Sequence, residues 1–335
     1  METRRLGTSD VQVTPVALGA WAIGGWMWGG TDEEDALAAL AKAIDLGMTT
    51  IDTAPAYGFG HSERIVGRAI QGRRDQVRIL TKFGIRWDLD PAEGKGTRFF
   101  DTKDLEGNPV TLVKYGGRES VIAECEASLE RLGVETIDLF QHHWPDANTP
   151  IAETMEACAA LLEQGKIRAV GVSNYSPEQM EEARQVVPLA SDQPPYSMLR
   201  RDIEDDVVPY CREHDVGILA YSPLQNGILS GKVTMDRTFP DDDLRAHDPY
   251  YKQENRKRIL DFLEETIRPI ADRHEATIAQ VVIAWTIRRP GITCALVGCR
   301  KPEHADDNAR AAEIELTGEE MQRIADELDG LTLEV

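Results

Sequence analysis

Apolar residues along the chain fall into two alternating patterns. Short runs rich in Val, Ile and Leu occupy residues 16–19, 48–51, 77–81, 137–140, 167–172, 189–192, 216–220 and 293–297. Each is too short for a helix and apolar on both faces, which predicts strands buried on both sides. Between them lie stretches with apolar residues every third or fourth position: 33–46, 62–70, 118–131, 151–164, 177–186, 203–214 and 278–287. The first carries Leu37, Leu40, Ala41 and Ile44 at helical spacing behind a Thr31 or Asp32 cap, and Gly133 and Gly165 stop later ones. Helices over 302–312 and 318–328 close the chain. The first dozen residues alternate around a turn at 7–10 and predict a β-hairpin, set as a plug at one end of the main fold.

Eight strands, each followed by helix, predict an α/β fold: a (β/α)8 TIM barrel with an N-terminal β-hairpin, as one domain over 1–335. An open doubly wound sheet that binds a dinucleotide needs G-x-G-x-x-G after its first strand. The glycines at Gly19, Gly24 and Gly25 have the wrong spacing, and Gly58-Phe59-Gly60-His61-Ser62-Glu63 lacks the third glycine. Two segments break the rhythm. Residues 83–117 and 224–255 are long, polar and turn-rich, and the second contains Asp241-Asp242-Asp243. Both follow strand ends, so both are expected as structureless lids or walls over the C-terminal face.

Charge narrows the possible ligands. A net charge of −21 opposes nucleic acid and anionic membrane, and any phosphorylated ligand must be held by a local basic patch. No apolar run is long enough for a membrane span, and the charged start Met1–Arg5 has no apolar stretch behind it, so no signal peptide is expected. Five scattered cysteines without a C-x-x-C pair suit a reducing, cytoplasmic location with no metal site.

The strand ends carry the candidate chemistry. Trp21, Trp26 and Trp28 follow the first strand, Asp52 and Tyr57 the second, and Lys82 closes the third. Gln141-His142-His143-Trp144 follows the fourth, Ser173-Asn174 the fifth, Asp192-Gln193 the sixth, Tyr221-Ser222 the seventh and Gly298-Cys299-Arg300-Lys301 the eighth. In a barrel these meet at one mouth. A lysine ending a buried strand needs a partner, and Asp52 is the candidate. The ammonium is expected to lower the Tyr57 pKa towards the working range. A phenol, a Lys–Asp pair and an imidazole can protonate an oxygen while hydride reaches the attached carbon. Alternation along a strand sends His142 and His143 to opposite sides, so one faces the mouth. Asp52 as a helix cap, Lys82 as a snorkelling side chain and Ser173-Asn174 as a cap are the duller alternatives.

With Trp21-Ala22-Ile23-Gly24-Gly25-Trp26-Met27-Trp28-Gly29-Gly30-Thr31-Asp32 and Asp52-Thr53-Ala54-Pro55-Ala56-Tyr57-Gly58-Phe59-Gly60-His61-Ser62-Glu63 in view, the chain resembles the aldo-keto reductases almost end to end. Within them it looks most like the bacterial general-stress and inositol-cluster type. The resemblance implies NADPH-dependent reduction of a small carbonyl or sugar substrate, reversible as alcohol oxidation. It makes Tyr57 the general acid, tuned by Lys82 and Asp52, with His143 orienting the carbonyl. It implies NADP(H) bound without a Rossmann fold: Ser173, Asn174 and Gln193 on the carboxamide, and Tyr221 stacked on the nicotinamide with Trp21 nearby. Ser222, Leu224, Gly227, Gly231 and Lys232 would wrap the pyrophosphate, and Gly298, Arg300, His304, Asp307 and Asn308 would hold the adenosine end. Trp21, Trp26, Trp28 and Trp144 would wall the substrate pocket. Asp192 departs from the family, where asparagine is common, as do His304 and Asp307. A slow NADPH-binding regulatory subunit, a polyol dehydrogenase working oxidatively and a metal-dependent sugar isomerase are the competing functions. The lysine among the strand-end groups counts against a divalent cation there.

Overall fold

The computed structural model describes residues 1–90, 95–241 and 243–335. In chain order its strands are β1 (Arg4–Arg5), β2 (Gln12–Val13), β3 (Val16–Gly19), β4 (Thr50–Asp52), β5 (Arg78–Phe83), β6 (Ile85–Arg86), β7 (Thr97–Lys103), β8 (Pro109–Lys114), β9 (Leu139–His142), β10 (Val170–Ser173), β11 (Leu189–Gln193), β12 (Gly217–Tyr221) and β13 (Ile292–Gly298). The helices are α1 (Glu33–Asp45), α2 (His61–Ala69), α3 (Arg118–Leu132), α4 (Ile151–Glu163), α5 (Pro177–Arg184), α6 (Val207–Glu213), α7 (Gln253–Phe262), α8 (Arg268–Arg273), α9 (Ile278–Arg288), α10 (Pro302–Arg310) and α11 (Gly318–Gly330).

Strands β3, β4, β5, β9, β10, β11, β12 and β13 close into one barrel of parallel neighbours, as the sequence predicts. Alternation sorts their side chains. Val16, Leu18, Ile51, Ile79, Phe140, Val172 and Ile218 pack outward among the helices. Ala17, Leu80, Leu139, Ala190, Leu219, Cys294 and Leu296 fill the inside, where Leu6, Val11 and Val13 of the β1–β2 hairpin join them. The hairpin is therefore the floor of the barrel. Several strands end later than the apolar runs suggest: β9 reaches His142 and β10 reaches Ser173. The extra residues are polar, and of them Gln141 and Ser173 face the mouth whereas His142 turns outward.

The two long segments are not structureless. Strands β6, β8 and β7 form an antiparallel sheet within 83–117. The β7–β8 turn is pinned by the Asp104 carboxylate, which accepts from the Glu106 and Asn108 amides at 2.9 and 2.8 Å. The adjacent Phe99-Phe100 breaks simple alternation at a register shift between Arg98 and Phe100, which hides the strand from a period-two reading. This sheet covers Trp26, Ala56, Ile85 and Leu112, with Phe59, Trp87, Phe99, Phe100 and Trp144 packed around them. The second segment runs through short 3-10 turns at Gln225–Ser230, Leu244–Ala246 and Pro249–Tyr251 into α7. Of its acidic run, Asp242 lies outside the described residues. Asp243 caps its turn and pairs with Arg245 at 2.5 Å. The run α7–α8 has no counterpart in the apolar pattern. Half of α7 is charged, and a π turn at Leu263–Ile267 precedes Pro269, which lacks an N–H to donate to the helix. No helix among the described residues is long and apolar enough to cross a membrane.

Candidate active site

The strand ends bring Asp52, Tyr57 and Lys82 together. Lys82 is fully buried, and its Nζ donates to Asp52 Oδ1 at 2.5 Å, to the Thr53 carbonyl at 3.0 Å and to Tyr57 Oη at 3.2 Å. Asp52 does not cap a helix, because α2 starts from Gly60. Its second oxygen accepts from Gln193 Nε2 at 2.9 Å and Gln141 Nε2 at 3.3 Å. A buried charge pair is tolerated only when its remaining hydrogen-bonding positions are filled, and here they are.

Tyr57 reaches this cluster because its loop is pressed against the one after β3. A Cβ on Gly24 would stand 2.7 Å from the Tyr57 carbonyl, and one on Gly58, at φ 66°, would stand 2.3 Å from the Gly24 carbonyl. Only two glycines allow that approach. The Tyr57 ring stacks on Trp21 with centroids 6.0 Å apart, and Trp28 meets Trp21 edge-on at 5.5 Å. His143 stands edge-on to Tyr57 at 5.8 Å, whereas His142 points out of the barrel, with Nδ1 2.7 Å from Tyr175 Oη. The alternation argument holds, and His143 is the histidine at the mouth.

The expected direction of the Tyr57 shift is corrected. Burial pushes the phenol's pKa up, Lys82 opposes it, and Asp52 adds to the rise. Desolvation outweighs the ammonium because Asp52 already pairs with that charge. Burial lowers the Lys82 pKa, but Asp52 and Tyr57 more than reverse this, so the ammonium persists. Burial, Lys82 and His142 hold His143 well below the usual histidine range, so its imidazole is neutral.

The remaining candidates divide. Ser173 and Asn174 do not cap α5, which Ser176 does. Ser173 Oγ donates to the Gln193 carbonyl at 2.7 Å, and Asn174, at φ 63°, donates to the His143 carbonyl at 3.1 Å. Tyr221 Oη donates to Asn174 Oδ1 at 3.0 Å. Beyond Tyr221, left-handed backbone at Ser222, Gln225, Asn226, Gly227 and Gly231 makes amide-lined turns of the kind that suit anions. Leu224 begins this stretch and packs on the core. A Cβ on Gly298 would meet open space. Arg300 donates to the Trp28 and Gly30 carbonyls at 3.1 and 3.5 Å, and its amide donates to His304 Nδ1 at 3.3 Å. Asn308 Nδ2 donates to the Gly298 carbonyl at 3.3 Å. Lys232 pairs with Asp307 at 3.4 Å and Lys301 with Asp35 at 3.5 Å. The Arg300–Lys301 pair is thus tied on both sides rather than free. Trp26 turns into the cluster beneath the loop sheet and donates to Thr102 at 3.1 Å, and Trp144 packs on Phe99. Trp21 stacks on Tyr57 and Trp28 packs behind it on Trp21.

Three contributors were given no role from the sequence. Gln141 accepts from Gln193 at 3.1 Å, and the pairing of Lys82 with Gln141 across β5 and β9 was the available signal. Arg245 stacks over Trp28 at 5.2 Å with no motif to announce it. Glu63 stood inside a quoted motif without a role. Among the described residues, no three His, Cys, Asp or Glu side chains gather as metal ligands.

Comparison with known proteins places the chain in a family. A family model described as "Aldo/keto reductase family" matches residues 15–329. The aldo-keto reductase YhdN of Bacillus subtilis is 40% identical over 304 residues, covering 90% of this chain and 86% of that protein. The NADH-specific methylglyoxal reductase of Escherichia coli is 36% identical over 318 residues, covering 93% and 94%. Among solved structures, the glycerol dehydrogenase of Gluconobacter oxydans superposes with a TM-score of 0.87 at 39% identity, covering 98% of this chain and 95% of that one. An aldo/keto reductase of Klebsiella pneumoniae in complex with NADP and acetate superposes at 0.72 with 30% identity, covering 97% and 94%. On the family match and these identities, the chain belongs to the aldo/keto reductase family.

Proposed function

We infer that the chain reduces aldehyde or ketone carbonyls to alcohols with NADP(H), and that Tyr57 donates the proton. The observation that carries this is the contact of Tyr57 Oη with Lys82 Nζ at 3.2 Å, backed by Asp52, in a mouth walled by aromatic rings. A phenol whose pKa is raised stays protonated at neutral pH and can donate; the ammonium beside it steadies the phenolate left behind. Neutral His143 can donate an N–H to the carbonyl oxygen and so orient it.

The residues at the strand ends fit the cofactor. NADP(H), when bound, supplies hydride to the carbonyl carbon. Ser173, Asn174 and Gln193 would hold the carboxamide, and because Gln193 Nε2 is committed to Asp52 and Gln141, its side-chain oxygen is the atom left to accept. Tyr221, fixed through Asn174, would stack on the ring. The amide-lined turns from Ser222 to Gly231 would take the pyrophosphate, and Arg300 and His304 the adenosine end. In the reverse direction Tyr57 must be a phenolate, so oxidation should gain as pH rises.

Small oxygenated compounds head the substrate candidates, since two relatives are named for methylglyoxal and glycerol. The test is steady-state turnover of a panel including both with NADPH and NADH. Tyr57→Phe should cost roughly 10²–10⁴-fold in kcat with cofactor affinity retained. A mutant with wild-type turnover overturns the assignment, and a single burst without steady state favours the regulatory-subunit reading.

A further inference from the structure

Outside the barrel, behind the Tyr57 cluster, lies a second buried polar group that the reaction does not use directly. Glu63, in the first turn of α2, is fully buried. It accepts from Thr81 Oγ1 at 2.6 Å and from Arg131 Nε at 2.6 Å. Its neighbour Ser62, also fully buried, donates to the Ala20 carbonyl at 2.9 Å and lies 2.9 Å from Thr53 Oγ1. The partners are not scattered. Thr53 follows Asp52 and Thr81 precedes Lys82, and alternation turns these threonines outward where Asp52 and Lys82 turn inward. Ala20 follows β3, and its amide donates to the Asp52 carbonyl at 2.8 Å.

Buried ion pairs are weak evidence for stability, because desolvation offsets most of the attraction. The surroundings nevertheless accommodate this one closely. Gly60, at φ 86°, leaves room where a Cβ would stand 2.8 Å from Arg131 Cδ, and Gly67 leaves room where one would stand 2.7 Å from the Leu132 carbonyl. Both glycines draw α3 up against α2, so that Arg131 can reach Glu63.

We propose that Glu63 and Ser62, acting through Thr81 and Thr53, are positioning residues that set the separation of Lys82 from Tyr57. Tyr57 sits on the loop between β4 and α2. Tying the first turn of α2 to the ends of β3, β4 and β5 fixes that loop against the strand that bears Lys82. Without the Thr81 link the end of β5 is free to shift against α2. The ammonium then lowers the phenol's pKa less, and the stabilisation of the phenolate weakens. The proposal rests on Tyr57 and Lys82 acting as inferred above.

Thr81→Val removes the hydroxyl at constant shape and leaves the Glu63–Arg131 pair intact; Thr81→Ser keeps the hydroxyl. The expected result for Thr81→Val is a fall in kcat of about tenfold, with the NADPH dissociation constant unchanged by fluorescence titration. The rising limb of the alcohol-oxidation pH profile, set by ionisation of Tyr57, should move to higher pH. Thr81→Ser should restore both the rate and the profile. Wild-type kcat and profile in Thr81→Val overturn the proposal. So does a loss of rate with no change in profile, or one that Thr81→Ser does not rescue. Tyr57→Phe measured alongside separates the failures: if it keeps turnover, the reading of Tyr57 itself is wrong.

Discussion

Asp192 offers the sharpest energetic test. It lies in the middle of β11, paired on both sides and fully buried. Neither carboxyl oxygen has a hydrogen-bond partner within ordinary geometry; the Tyr175 and Gln193 amides face it without reaching that geometry. Burial therefore pushes its pKa up to about 8, and the folded protein carries Asp192 as a neutral acid at pH 7. The unfolded chain ionises it near pH 4. The folded pKa is the higher one, so its contribution is fully present below about pH 4 and is lost as pH rises towards 8. At roughly 1.4 kcal/mol per unit, the ceiling on that loss is about 4 kcal/mol at pH 7. Water penetration and local relaxation reduce it, and about 2–4 kcal/mol is the expected range. Asp192→Asn keeps the shape and stays neutral at every pH. Urea unfolding of both proteins from pH 4 to 8 should show near-equal stability at pH 4 and a growing advantage for the variant above it, by up to about 1.4 kcal/mol per pH unit. A difference that does not change with pH refutes the neutral-acid account.

Three further outcomes follow from the cofactor end. Arg300→Ala should raise the Michaelis constant for NADPH more than that for NADH, measured by initial rates; an unchanged NADPH constant, or a wild type that favours NADH, removes Arg300 from the site. Burial, Lys232 and Arg300 all lower the His304 pKa, so the NADPH preference should stay flat from pH 8 down to about 6.5; growth of the preference across that window would show a charged His304. The 224–232 stretch should be cut by protease more slowly with NADPH present, and equal cleavage with and without it would count against a clasp around the pyrophosphate.

Fold and chemistry differed in how legible they were. The barrel strands are buried on both faces, so their apolar runs stand out, and several helices announce their start with a capping side chain such as Asp32, Ser176 or Thr277. The Tyr57, Lys82 and Asp52 cluster could be foreseen because each residue stands at a strand end, and alternation alone separated His142 from His143. The sign of the Tyr57 shift could not be foreseen. It depends on how far desolvation outruns a partly neutralised ammonium, a contest between distances and burial that sequence does not record. The sheet of 83–117 was hidden by the Phe99-Phe100 doublet, and α7 by its charge. The ties of Arg300, Lys232 and Lys301 are long-range pairings with no periodic signature.

The sheet β6–β8–β7 rests on an apolar cluster distinct from the main core and from the barrel interior. It enters and leaves the barrel through Phe83 and Gly117, so the wall beside the reacting groups has its own foundation. Changes to Phe59, Trp87, Phe99 or Phe100 load that foundation and leave the barrel's packing alone. The packing of this wall and the packing of the barrel thus rest on separate sets of residues. A lineage can exchange one hairpin for another over an unaltered Tyr57–Lys82–Asp52 platform, and an engineer can randomise the wall while expecting most of the library to fold.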